Sequence, residues 1–191
     1  AITMDALPDP HDTGRRLDIK LAEYTKLKSE QVSRIGFRDN LLYVTLGVVG
    51  ALCAYAMAGP QHRPALLLVP WACFVLGWTY LVNDEKISAI GRYLRDELGP
   101  GLQTGVGVPP AEQVLGWERA HRVDRRRFSR KCFQLFVDLI AFCASSAAAL
   151  FAFVWLEPGL DGPRLALVCA GSALVLMLAV WIWIYADLGA E

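Results

Sequence analysis

Four stretches of this chain are long and almost free of charge. They are LLYVTLGVVGALCAYAMA (41–58), ALLLVPWACFVLGWTYLV (65–82), CFQLFVDLIAFCASSAAALFAFVWL (132–156) and LALVCAGSALVLMLAVWIWIYA (165–186). A bilayer's hydrocarbon core is crossed by about 20 apolar residues in a helix, with ~17–25 tolerated. A helix of a water-soluble protein keeps a broad polar face, and these four are apolar almost all round. Inside hydrocarbon every backbone N–H and C=O must be bonded within the segment, so each stretch is predicted to be a helix. The expected fold is an all-α membrane protein with four transmembrane helices.

The basic residues set the expected orientation. Residues 1–40 hold seven Lys or Arg and residues 83–131 hold ten. The connections 59–64 and 157–164 hold only Arg63 and Arg164. Positive charge collects on the cytoplasmic side, so both termini and the 83–131 segment are expected inside. Gly59-Pro60 and Pro158-Gly159 then mark tight turns on the far side. Trp71 and Trp155 fall toward the outer interface, and Trp78, Tyr80, Trp181, Trp183 and Tyr185 toward the inner one, as interfacial belt residues would. No charged n-region and apolar core precede the first span, which is expected to act as its own insertion signal. The expected location is a cell membrane, with both termini cytoplasmic.

Outside the spans, residues 1–12 carry three Asp and two Pro and read as a disordered tail. Residues 13–40 are predicted to form a cytoplasmic helix leading into span 1, with Leu17, Leu21, Tyr24 and Leu27 at helical spacing. That stripe needs a partner: the inner leaflet, a neighbouring subunit, or the helix that leaves span 2. Spans 1 and 2 occupy 41–82. Residues 83–131 are expected to form a helical hairpin, with Ile87, Ile90, Leu94 and Leu98 on one face, a stop at Gly99-Pro100 and a loop over 100–110. Spans 3 and 4 occupy 132–186, and 187–191 form a short cytoplasmic tail.

Enzyme signatures are missing. His11, His62 and His121 lie in different regions, without a metal-ligand spacing. There is no HExxH, GxSxG or GxxxxGK[ST], and Gly105-Val106-Gly107 lacks the rest of a dinucleotide fingerprint. The expectation is a non-enzyme without cofactor or metal. The five cysteines sit in spans or at a span edge and suggest packing, not a disulfide framework.

Two features carry a functional expectation. The first is the run RAHRVDRRRFSRK (119–131), with Arg119, Arg122, Arg125, Arg126, Arg127, Arg130 and Lys131. A juxtamembrane basic run attracts anionic lipid at about 1 kcal/mol per charge. Its arginine excess also suits bidentate recognition of phosphate, as in a nucleotide or oligonucleotide. The second is a polar line down span 3: Arg127, Lys131, Gln134, Asp138, Ala141 and Ser145 follow helical steps. Gln134, Asp138 and Ser145 are the expected pore-lining residues, if several copies surround an axis. The same line suits ordinary bonding between helices. Small residues (Gly47, Gly50, Ala51, Ala54 and Ala58 in span 1, 145–149 in span 3, Ala166 and Ala170 in span 4) would let helices approach closely.

The segments EYTKLKSEQVSRIGFRDNLLYVTL (23–46) and LVNDEKISAIGRYL (81–94) resemble the helices that enter and leave the membrane in SLATT-type four-span effectors of bacterial antiphage defence. Within that group the layout of residues 15–186 is most similar to the membrane subunit of Hailong-type systems. The resemblance rests on layout, without invariant residues. It implies a homo-oligomer, a tetramer being one form it could take. It also implies a short single-stranded DNA or nucleotide ligand from a partner nucleotidyltransferase, which holds the assembly closed. Loss of that guard opens a pore and depolarises the cell. The alternative is a membrane scaffold or regulatory subunit that binds a cytoplasmic partner. A small transporter fits less well, because no pair of broken helices supplies a substrate site.

Overall fold

The computed structural model of the chain describes residues 10–106 and 127–186. Among them all regular structure is helical, and four helices are long and apolar enough to cross a membrane. The order is α1 (Pro10–Met57), a 3-10 segment (Pro60–Leu68), α2 (Val69–Tyr93), a π segment (Leu94–Leu98), α3 (Gly99–Val106), α4 (Arg127–Asp138), a second π segment (Leu139–Ala144), α5 (Ser145–Leu156) and α6 (Gly162–Tyr185). The chain divides into two compact units: residues 1–35 with 86–124, and residues 36–85 with 125–191.

In the first unit, Leu94, Leu98 and Leu102 are buried, and Leu17, Tyr24, Leu27, Ile90 and Tyr93 pack against them. Of the three partners open to the Leu17–Leu27 stripe, the helix following span 2 is the one it meets. Leu21 stays exposed. Lys20 Nζ donates to the Gly101 carbonyl at 2.9 Å, and Tyr93 Oη donates to Glu23 Oε1 at 2.7 Å. The hydrogen bond to Glu23 pushes the Tyr93 hydroxyl above its ordinary pKa.

Gly99-Pro100 does not stop the helix. The π segment ends there and α3 continues to Val106. Proline is tolerated in a helix's first turn, where its missing N–H is not needed, and a π turn relaxes the hydrogen-bond ladder just before it. The loop expected at 100–110 is therefore helical as far as 106, and its remainder lies outside the described residues. Likewise α1 begins at Pro10, within the expected tail, while residues 1–9 and 187–191 are not described.

The second unit is the apolar bundle. Its core has two layers. Leu41, Tyr80, Phe142, Leu178 and Ile182 lie in one, and Ala56, Leu67, Val69, Leu150 and Phe153 in the other. Gly77 marks the tightest crossing: a Cβ there would stand 2.9 Å from Leu178 Cδ2 and 3.2 Å from Phe142. Gly171 plays a milder version of this part against Leu150 and Pro70, each 3.3 Å from where its Cβ would be. Span 1 behaves otherwise. Gly47 and Gly50 have nothing within 4 Å of that position, and Ala51, Ala54 and Ala58 are exposed. The apolar parts of α1 and α6 are each only 17% buried, against 44% and 39% for the other two spans.

Ser and Thr hydroxyls inside the spans are satisfied by their own helix. Thr45 donates to the Leu41 carbonyl at 2.8 Å, Ser146 to Phe142 at 2.7 Å and Ser172 to Val168 at 2.9 Å. This local back-bonding is how a hydrocarbon-facing helix carries Ser and Thr without cost from stranded polar groups. The described cysteines are all free thiols.

The two short connections close the other end. Residues 65–68, expected within the second span's α-helix, are 3-10 instead, in a segment that starts at Pro60 and has Pro64 inside it. Gly159 takes φ 101°, a left-handed conformation that suits glycine at the Pro158-Gly159 turn. Asp161 caps α6 by accepting from the Arg164 backbone N–H at 3.2 Å, and a proline follows in the first turn. Arg63 Nη1 ties the connections together, donating to the Leu156 carbonyl at 2.8 Å and to Glu157 Oε1 at 3.1 Å.

A candidate polar site in the helix bundle

Three helices bring polar side chains to the end of the bundle opposite these connections. Asp138 closes α4 and is 7% exposed. Gln134 lies one turn earlier, and its Nε2 donates to Asp138 Oδ1 at 2.9 Å. The same amide nitrogen donates to the hydroxyl of Tyr80 on α2, and that hydroxyl in turn hydrogen-bonds Asp138. An amide NH2 has two donors, a phenol one donor and one acceptor, and a carboxylate only acceptors. The triangle uses all of these with correct polarity. Tyr80 itself is 1% exposed, and its ring packs 5.4 Å from that of Phe142.

One turn along α2 from Tyr80, Asp84 accepts from Arg38 Nη1 of α1 at 2.8 Å. Arg38 also reaches Asp39 at 3.2 Å. Burial alone would lower the Arg38 pKa. The hydrogen bond to Asp84, with further interactions from Tyr80 and Asp39, outweighs it, and the net direction is up. Arg38 and Asp84 also act electrostatically on Asp138. A carboxylate held only by neutral donors thus sits beneath an ion pair at the edge of the spans.

Chemically, this arrangement fixes a carboxylate and orients it. Its one hydroxyl, that of Tyr80, is engaged with Gln134 and Asp138. Among the described residues no group of three His, Cys, Asp or Glu could hold a metal ion.

The structure therefore brings Gln134 and Asp138 together but leaves Ser145 apart. Ser145 Oγ donates to the Ala141 carbonyl and lies 4.0 Å from Cys73 Sγ. The π segment after Asp138 interrupts the regular stepping from which a continuous line was read. Phe133, Phe136 and Ile140 are exposed, and so is Gln134. Of the basic run, Arg119, Arg122, Arg125 and Arg126 lie outside the described residues. Arg127 and Arg130 are placed on α4 by backbone alone, and Lys131 is half-buried there.

Sequence reasoning missed Tyr80, Arg38 and Asp84. Tyr80 reads as an interfacial belt residue, but its hydroxyl is turned inward and fully engaged. Arg38 and Asp84 did carry a signal, being opposite charges flanking successive spans at matching depth.

Comparisons with protein-family models, with curated proteins and with solved structures return no match.

Proposed function

We propose that this chain is the protomer of an oligomeric, ligand-controlled membrane pore. The observation that carries the reading is the Asp138 carboxylate, kept with Gln134 and Tyr80 inside helices apolar enough to span a membrane. An acid within a span costs ~2.5–3.5 kcal/mol on insertion scales, which makes it a candidate for an ion or proton path. One chain cannot enclose a path with a single polar line, so several copies are required. The open small-residue face of α1 gives a second copy room to approach.

Control is assigned to the basic run Arg119–Lys131 through a short oligonucleotide or nucleotide, made by a nucleotidyltransferase. Support comes from its arginine excess and from the likeness to SLATT-type and Hailong-type effectors. In this reading the protein sits in a bacterial inner membrane with both termini cytoplasmic, and serves abortive antiphage defence.

A second reading is a membrane scaffold. It is favoured by the separate leucine core of residues 94, 98 and 102, which gives the unit of 1–35 and 86–124 its own packed interior.

Induced expression with a potential-sensitive dye separates the two. The pore reading expects wild type to depolarise cells and Asp138→Asn, inserted at equal level, to depolarise them less. Normal potential under strong induction, with or without phage challenge, favours the scaffold. The ligand arm is a thermal-shift series with short single-stranded DNA at two salt concentrations. Stabilisation should weaken with salt, each neutralised phosphate contributing about −0.7 to the log–log slope. It should also weaken in the Lys variant of Arg122, Arg125, Arg126 and Arg127, which lacks the bidentate fork. Equal shifts in both proteins would return the run to lipid anchoring.

A further inference from the structure

At the end of the bundle that carries the short connections, a cleft of about 450 Å³ opens between α1, the 3-10 segment and α5. Its walls are small or apolar: Cys53 and Ala56 from α1, Leu66 from the 3-10 segment, and Ala152 and Leu156 from α5. The volume falls within the ~300–1,000 Å³ typical of ligand pockets. The sequence explains the space. Small side chains on α1 and α5, Cys53, Ala56 and Ala152, line the gap, and no larger residue among the described ones fills it.

The cleft is open on one side, and its apolar lining gains dispersion contacts from an apolar occupant. Water is a poor filler, since a water needs two to four polar partners. The cleft offers one charged side chain, Arg63, which lines it and is 29% exposed. Arg63 spends Nη1 on the Leu156 carbonyl and Glu157, which fixes the guanidinium at this place. Around it the charges balance: Arg63 and Arg164 stand with Glu157 and Asp161, joined by contacts of 3.1 and 3.6 Å. A hydrocarbon slot beside a cation, within a patch of both signs, is complementary to a zwitterionic phospholipid. The acyl chain takes the slot, the phosphate meets Arg63, and the headgroup ammonium meets the acidic pair.

We infer that this cleft is a binding site for one bilayer phospholipid, seated with an acyl chain between α1 and α5 and its phosphate on Arg63. The site lies at the opposite end from the Asp138 network and does not depend on the pore reading. It holds a specific lipid, distinct from the shell that wets any membrane protein.

Native mass spectrometry of the purified protein, titrated with palmitoyl-oleoyl phosphatidylethanolamine in mild detergent, tests this. Wild type should retain one lipid under conditions that strip the rest. Arg63→Gln should weaken retention about tenfold. Ala152→Leu and Cys53→Leu fill the slot from opposite walls, and each should abolish the single retained lipid. Two filling variants are used so that misfolding of one, read by circular dichroism, leaves the other decisive. No retained lipid on wild type, or the same adducts on wild type and a folded filling variant, would overturn the site.

Discussion

Removing the Tyr80 hydroxyl probes the polar triangle most sharply. Tyr80→Phe keeps the ring against Phe142, at 5.4 Å, and deletes only an oxygen in a side chain 1% exposed. That oxygen accepts from Gln134 and bonds Asp138. Its loss leaves Asp138 with the 2.9 Å bond from Gln134 alone. Stranding a buried polar partner costs about 1–3 kcal/mol in water-soluble proteins. Hydrogen bonds between membrane helices average nearer ~0.6 kcal/mol, with ~1.7 at most, because the unfolded chain in lipid also finds partners. Two bonds are lost at a fully buried position, so about 1–2 kcal/mol is expected, a factor of roughly 5–30 in the folded-to-unfolded ratio. Reversible unfolding in mixed micelles, titrated with a denaturing detergent, measures it. The double variant with Asp138→Asn should cost less than the sum of the two, because the residues share one network. A Tyr80→Phe protein as stable as wild type, or strict additivity with Asp138→Asn, would refute the triangle.

Close and open glycines should respond differently. Gly77→Leu forces a side chain against Leu178 Cδ2, 2.9 Å from the new Cβ, and should cost about 1–3 kcal/mol by overpacking. Gly50→Leu meets nothing within 4 Å and should leave monomer melting within about 0.5 kcal/mol of wild type in the same detergent. The Tyr93–Glu23 bond predicts an alkaline effect. Because the folded-state pKa is raised, its contribution is present below the ordinary phenol value of about 10 and is lost as pH rises through the folded value. Melting measured between about pH 9 and 11 should fall more steeply for wild type than for Tyr93→Phe.

The spans were legible because apolar length is a strong local signal: a stretch such as 165–186 has no other stable home. The turn at Pro158-Gly159 was legible because proline and glycine restrict the backbone by themselves. Asp138 and Gln134 could be paired by helical spacing, since both lie on one helix. Tyr80 could not, because its partner lies on another helix, and the register between helices depends on packing at Gly77 and on the 3-10 and π segments. Those segments leave no mark in residue spacing. A π turn differs from an α turn by one hydrogen-bond step, so spacing alone does not carry a line from Asp138 on to Ser145. Leu17, Tyr24 and Leu27 announced a face needing cover without saying what covers it. Leu94 and Leu98 stood on one of the candidate partners, and Leu102 joined them only because the chain runs on as helix through Pro100.

Current across a planar lipid bilayer, with purified protein reconstituted at low density, tests the central proposal most directly. The pore reading predicts discrete conductance steps for wild type. It predicts reduced or altered steps for Asp138→Asn, and closure by a short single-stranded DNA added on the side of the basic run. A silent bilayer, when reconstitution is verified by protease accessibility and no oligonucleotide, salt or phage-lysate condition elicits current, would contradict it.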